Sequence, residues 1–83
     1  KGELAKIFPN PAIDILKIEL PQNVGEASIN FYDLTGKLIS TVATTKGATK
    51  YAINTTGLAA GQYMLVVTMD KTIQTQKVTI AAK

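Results

Sequence analysis

Apolar and polar residues alternate along most of the chain, and punctuation by Gly, Pro or Asn recurs at short intervals, so helix templates fail almost everywhere. Leu16, Ile18 and Leu20 fall on one side of a strand with Lys17 and Glu19 on the other, the pattern of a sheet with one wet face. Ile13 and Ile15 are out of phase with them, which predicts either a bulge near Ile15 or a strand covered on both sides at its start. A second strand is predicted over residues 27–33, with Ile29 and Phe31 inward and Tyr32 turned to the surface. Residues 37–43 read as its hairpin partner. Between them, Asp33 accepts a local backbone hydrogen bond and Gly36 takes the left-handed conformation that closes the turn.

Lys46-Gly47 gives another turn, followed by a short strand in which Tyr51 and Ile53 alternate with Lys50, Ala52 and Asn54. Residues 61–69 form the most hydrophobic window, with Tyr63, Leu65 and Val67 on one side and Met64 and Val66 on the other. A strand apolar on both faces belongs in the middle of the fold. Asp70-Lys71 makes a tight turn without glycine, and a last strand runs over 72–81 with Val78 and Ile80 inward. Ile73 and Val78 are five apart, which predicts a phase change between them.

With a short opening strand near Ile7 and Phe8, these are seven strands, the number of an immunoglobulin-like sandwich. Leu58, Gly61 and Tyr63 have the spacing of a tyrosine corner, whose hydroxyl bonds back to upstream backbone. The predicted fold is all-β: a seven-stranded antiparallel immunoglobulin-like Greek-key β-sandwich over residues 7–83, preceded by a linker remnant at 1–6.

Composition narrows the chemistry. The chain has 83 residues, enough for one core, and at 46% hydrophobic and 18% charged it is too apolar for a disordered tail. It contains no Cys and no His, which removes disulfides, thiolate ligands and the usual proton-transfer group. The net charge of +3 comes from lysines spread singly along the chain, with no Arg, which argues against nucleic-acid binding. There is no apolar run long enough to span a bilayer, and no basic start followed by an apolar core of the kind that marks a signal peptide. The start at Lys1 fits a piece of a longer exported protein.

Ser28 and Ser40 have no His base and no nucleophile elbow, so both read as strand hydroxyls. The carboxylates Glu3, Asp14, Glu19, Glu26, Asp33 and Asp70 are widely spaced and read as solvated residues rather than a glycosidase pair or calcium loop. No phosphate loop is present, and no cofactor or metal is expected. Asn54-Thr55-Thr56 fits a glycosylation acceptor by coincidence. The aromatics Phe8, Phe31, Tyr51 and Tyr63 read as core.

Ile7-Phe8-Pro9-Asn10-Pro11-Ala12, then residues 31–37, then Leu58 to Tyr63, and a closing Lys77-Val78 strand occur in one order. Together they resemble the type A C-terminal sorting domain of the type IX secretion system of Bacteroidetes-type Gram-negative bacteria. The resemblance implies a non-catalytic signal. It would direct an N-terminal cargo from the periplasm through the outer-membrane translocon to the cell surface or beyond, and be removed by a sortase-like cysteine peptidase. It also implies secretion-recognition candidates at Pro9, Asn10, Pro11, Asp33, Gly36, Lys37, Gly61, Tyr63, Lys77 and Val78. The residues also assign most of these to turns, a corner or a stiff entry. The last strand, if it lies at a sheet edge, would offer free backbone groups and Lys77 as a docking strip, and an exposed edge could support dimers. The alternative is an immunoglobulin- or fibronectin-like adhesive or carbohydrate-binding spacer.

Overall fold

A computed structural model describes residues 4–22 and 24–82. It contains seven strands: β1 (Lys6–Phe8), β2 (Ile15–Glu19), β3 (Ala27–Asp33), β4 (Leu38–Val42), β5 (Lys50–Asn54), β6 (Gly61–Met69) and β7 (Thr72–Ile80). They form a three-stranded sheet in the order β1-β2-β5 and a four-stranded sheet in the order β4-β3-β6-β7. Every pairing between strands is antiparallel. The chain crosses between sheets after β2, after β4 and after β5, so β2 lies beside β5 and β3 beside β6, a Greek-key sandwich. β4 stays with its hairpin partner β3, which puts the fourth strand in the second sheet.

The core is what the alternation dictates. Leu16, Ile18 and Ile53 face Ile29, Phe31, Leu65, Val67, Val78 and Ile80 across the sandwich, nearly all fully buried. β6 is apolar on both faces and is a central strand, between β3 and β7, as predicted. The folded part starts slightly before residue 7, because β1 begins at Lys6 and Ala5 is buried in the core. Residues 1–3 of the expected linker lie outside the described residues.

Two expected irregularities are absent, and one that was not expected is present. β2 pairs with β5 in unbroken register from Ile15 to Glu19, and Ile13 and Ile15 are 46% and 41% exposed. They are apolar residues on the wet face, with neither a bulge nor a second cover. β7 likewise runs in one register along β6 with no phase change, because Ile73 is an outward side chain, 68% exposed. Phe8, expected in the core, is 38% exposed on the outer side of β1. The bulge is in the β3–β4 hairpin. Tyr32 pairs with Leu38 and Phe31 with Ser40, so Ile39 is the extra residue, and it packs against the core.

Each sheet edge is blunted. β4 carries the bulge, β1 is three residues long and is followed by Pro9, and β5 carries Lys50. The edge of β7 is partly covered by the N-terminal segment.

Candidate functional site

The ten candidates come from four separate stretches of sequence, and the register gathers them at one end of the four-stranded sheet. Asp33 at the end of β3 pairs with Tyr63 on β6, and Tyr63 pairs with Val78 on β7. Gly61 pairs with Ile80, and Ile80 is bridged on its other side by Ala12, with Asn10 close by. Crossing the sheet, the order is therefore the 33–37 turn, the start of β6, the end of β7 and residues 9–12. Pro9, Asn10, Pro11, Gly36, Lys37, Gly61 and Lys77 are exposed; Tyr63 and Val78 are buried.

The turn holds its shape through Asp33. Its Oδ1 accepts from the backbone N–H of Thr35 at 2.9 Å, the Thr35 hydroxyl at 2.6 Å and the backbone N–H of Lys37 at 3.0 Å. Its carbonyl accepts from the Gly36 amide at 3.1 Å, and Gly36 has φ of 93°. A side chain is strained there, so Gly36 answers to the turn. Gly61, with φ of 151°, sits in a region that only glycine visits freely, at the corner where β6 begins.

That corner is closed by Tyr63, whose hydroxyl donates to the Ala59 carbonyl at 2.7 Å. The expected tyrosine corner is present. The ring of Tyr63 stacks on Phe31 with centroids 5.3 Å apart and planes 14° from parallel.

The last strand differs from the open docking strip expected of it. β7 is an edge strand, but its outer backbone is occupied from the Lys77 carbonyl onward. The Asn10 amide nitrogen donates to the Lys77 carbonyl at 3.1 Å, and its oxygen accepts from the Thr79 N–H at 3.0 Å. The Ala12 N–H then donates to the Thr79 carbonyl at 2.9 Å, and the Ala81 N–H to the Ala12 carbonyl at 2.8 Å. The physical reason lies in the Pro-Asn-Pro sequence. Pro9 and Pro11 have no N–H to give, so Asn10 supplies both bonding groups from its side chain. Both prolines follow cis peptide bonds. Nearer the start of β7, the Gln74 side chain accepts from the Ala5 N–H at 2.8 Å and donates to the Ala5 carbonyl at 3.1 Å. By the alternation of strand bonding, the outward backbone still open on β7 is that of Ile73 and Thr75 and the N–H of Lys77.

Asp70, read from sequence as a solvated turn residue, has a further task at the opposite end of the sheet. It occupies the left-handed region, φ 51°, and its carboxylate accepts from the N–H groups of Gly25 at 3.2 Å and Glu26 at 3.0 Å. No local motif signals a contact 44 residues away in sequence. The Asp33 carboxyl is held below its ordinary 3.8, chiefly by the Thr35 hydroxyl and then the Lys37 amide. The Asp70 carboxyl is also held below 3.8, by the Glu26 and then the Gly25 amide. Both are depressed in the folded state, so their stabilisation is complete above pH 3.8 and is lost as pH falls through the lowered folded values. The Asp33→Ala/Asp70→Ala double variant should therefore melt lower than the parent at about pH 6 and lose much of that difference by about pH 2.5. Thermal unfolding followed by circular dichroism checks this, and an equal gap at both pH values refutes it.

Among the described residues no cluster of three or more His, Cys, Asp or Glu could hold a metal ion, and no helix is long and apolar enough to cross a membrane. No curated protein sequence matches the chain significantly. Residues 6–81 match the family described as the secretion system C-terminal sorting domain. That match takes in all seven strands and all four stretches brought together at the sheet end, and the chain belongs to this family, the C-terminal sorting domains of type IX secretion.

Proposed function

We propose that this domain is the delivery signal of a cargo joined to its N-terminal side, carried through the outer-membrane translocon and then released from the cargo by a sortase-like cysteine peptidase. The family is a sorting signal, non-catalytic in general, and implies interaction with the type IX machinery and export toward the outer membrane or cell surface. The observation that carries the reading is the family match over residues 6–81. The convergence of four sequence stretches at one sheet end supports a location for recognition: the exposed rim of Pro9, Asn10, Pro11, Gly36, Lys37, Gly61 and Lys77. Tyr63 and Val78, both buried, support that rim from below.

Lys37 and Lys77 supply the charge of this rim, and both are exposed, so reversing them leaves the core intact. In a host with the machinery, a periplasm-targeted fluorescent reporter carrying residues 1–83 should appear outside the outer membrane, freed of the domain. The Lys37→Glu/Lys77→Glu variant should be folded yet exported at least several-fold less. Periplasmic retention of the unaltered, intact fusion would overturn the sorting reading. Normal export of the double variant would remove the two lysines from the recognition surface.

A further inference from the structure

Three lysines that are far apart in sequence, Lys6, Lys17 and Lys50, are neighbours in space. On the outer face of the β1-β2-β5 sheet, the register places Lys6, Glu19 and Lys50 in one row and Phe8, Lys17 and Ala52 in the next. The inward phase of Leu16, Ile18 and Ile53 sends all six to solvent's side. Three lysines thus oppose one carboxylate. Ala52 is small and leaves a depression bounded by Phe8, Lys17, Glu19 and Lys50. Beside the lysines, Phe8 and Ile15 are 38% and 41% exposed on the same face, with Ile13 adjoining at 46%.

The other outer face is different. Rows such as Tyr32-Met64-Lys77 and Asn30-Val66-Thr75 are neutral except for Lys77. Of the two outer sheet faces, the three-stranded one therefore carries more charge, with exposed apolar side chains beside it. Such a face is complementary to a plane of negative charge with hydrocarbon beneath it.

We propose that the outer face of the three-stranded sheet docks on an anionic lipid surface, with Lys6, Lys17 and Lys50 near the headgroups and Phe8 and Ile15 at the boundary below them. Lys6, Lys17 and Lys50 are not among the rim of sorting candidates, so the two surfaces can fail independently. With three cations and two large apolar side chains, the attachment is weak, reversible and strongly dependent on salt.

The test is co-sedimentation of the domain with vesicles of phosphatidylcholine alone or with about 30% phosphatidylglycerol, at low and high salt. Binding is expected to the anionic vesicles at low salt, and to be lost at high salt or on neutral vesicles. Lys17→Gln/Lys50→Gln should lower the partition coefficient roughly 30-fold, whereas Lys46→Gln/Lys71→Gln, with the same loss of charge elsewhere, should lower it by no more than a few fold. Equal losses in the two variants would mean that net charge, not this face, drives binding. Absence of binding to anionic vesicles at low salt overturns the proposal, and so does pelleting without vesicles, which would assign the face to a second copy of the chain. Circular dichroism of both variants confirms that the fold is retained.

Discussion

Removing residues 77–83 is expected to unfold the domain rather than merely to erase a recognition strip. Val78 and Ile80 are 0% and 2% exposed, and each apolar side chain of this size contributes about 1.5–3 kcal/mol by burial. The deletion also strips Asn10 and Ala12 of their partners on Lys77, Thr79 and Ala81, leaving the segment after β1 with nothing to pair to. A domain of this length has total stability on the order of 4–12 kcal/mol, so losses of this size leave little or none. The truncated protein should show no cooperative thermal transition by circular dichroism, while Lys77→Glu retains one. A truncated chain that still melts cooperatively near the parent's midpoint would show that the closing strand is dispensable to the core. The consequence for export assays is direct. Loss of secretion on truncation reports loss of the folded domain, and surface substitutions are needed to probe recognition.

The second large effect is expected at Phe31→Ala. Phe31 is the largest of the fully buried side chains, and it stacks on Tyr63, the residue that closes the corner. Truncating a buried phenylalanine costs about 3–5 kcal/mol through lost burial and the cavity left behind. In urea, with a slope of about 1 kcal/mol/M for a small domain, this moves the midpoint down by about 3 M or more. Asp33, Tyr63 and Val78 stand in one cross-strand row beside it, so the rim loses its support together with the core. A shift below about 1 M would mean that the sandwich collapses around the gap far better than its fixed sheet spacing allows.

Much of this architecture was legible from residue types because the side-chain period of a strand is strict. The bounds of β3 and β6 follow from Ile29 and Phe31 and from Tyr63, Leu65 and Val67, and the turns follow from Asp33 with Gly36 and Lys46 with Gly47. What periodicity cannot supply is which apolar side chains stay wet. Ile13, Ile15 and Ile73 break phase in sequence, and bulges or a second cover would explain them equally well there; in the fold they are simply exposed. Ile39 carries the one bulge of the hairpin, and its flanking Leu38 and Ser40 give no local sign of it.

The candidate rim was legible only as separate motifs. Its convergence depends on the register of β3, β6 and β7 and on the side chain of Asn10, which substitutes for two backbone groups that the flanking prolines lack. A Pro-Asn-Pro run signals a stiff entry, and nothing in it tells which strand that entry will meet. The lysine face was hidden for the same reason, since Lys6, Lys17 and Lys50 become neighbours only through two strand registers.

The seam between residues 5–12 and β7 has a kinetic implication. Its bonds join groups 67 to 69 positions apart, close to the full span of the chain. β1 finds β2 and β7 finds β6 by shorter-range pairing, but the seam that joins the two ends needs both, and contacts of such long range close slowly. A product that stops short of β7 never seals this seam, so closure reports that all seven strands are present.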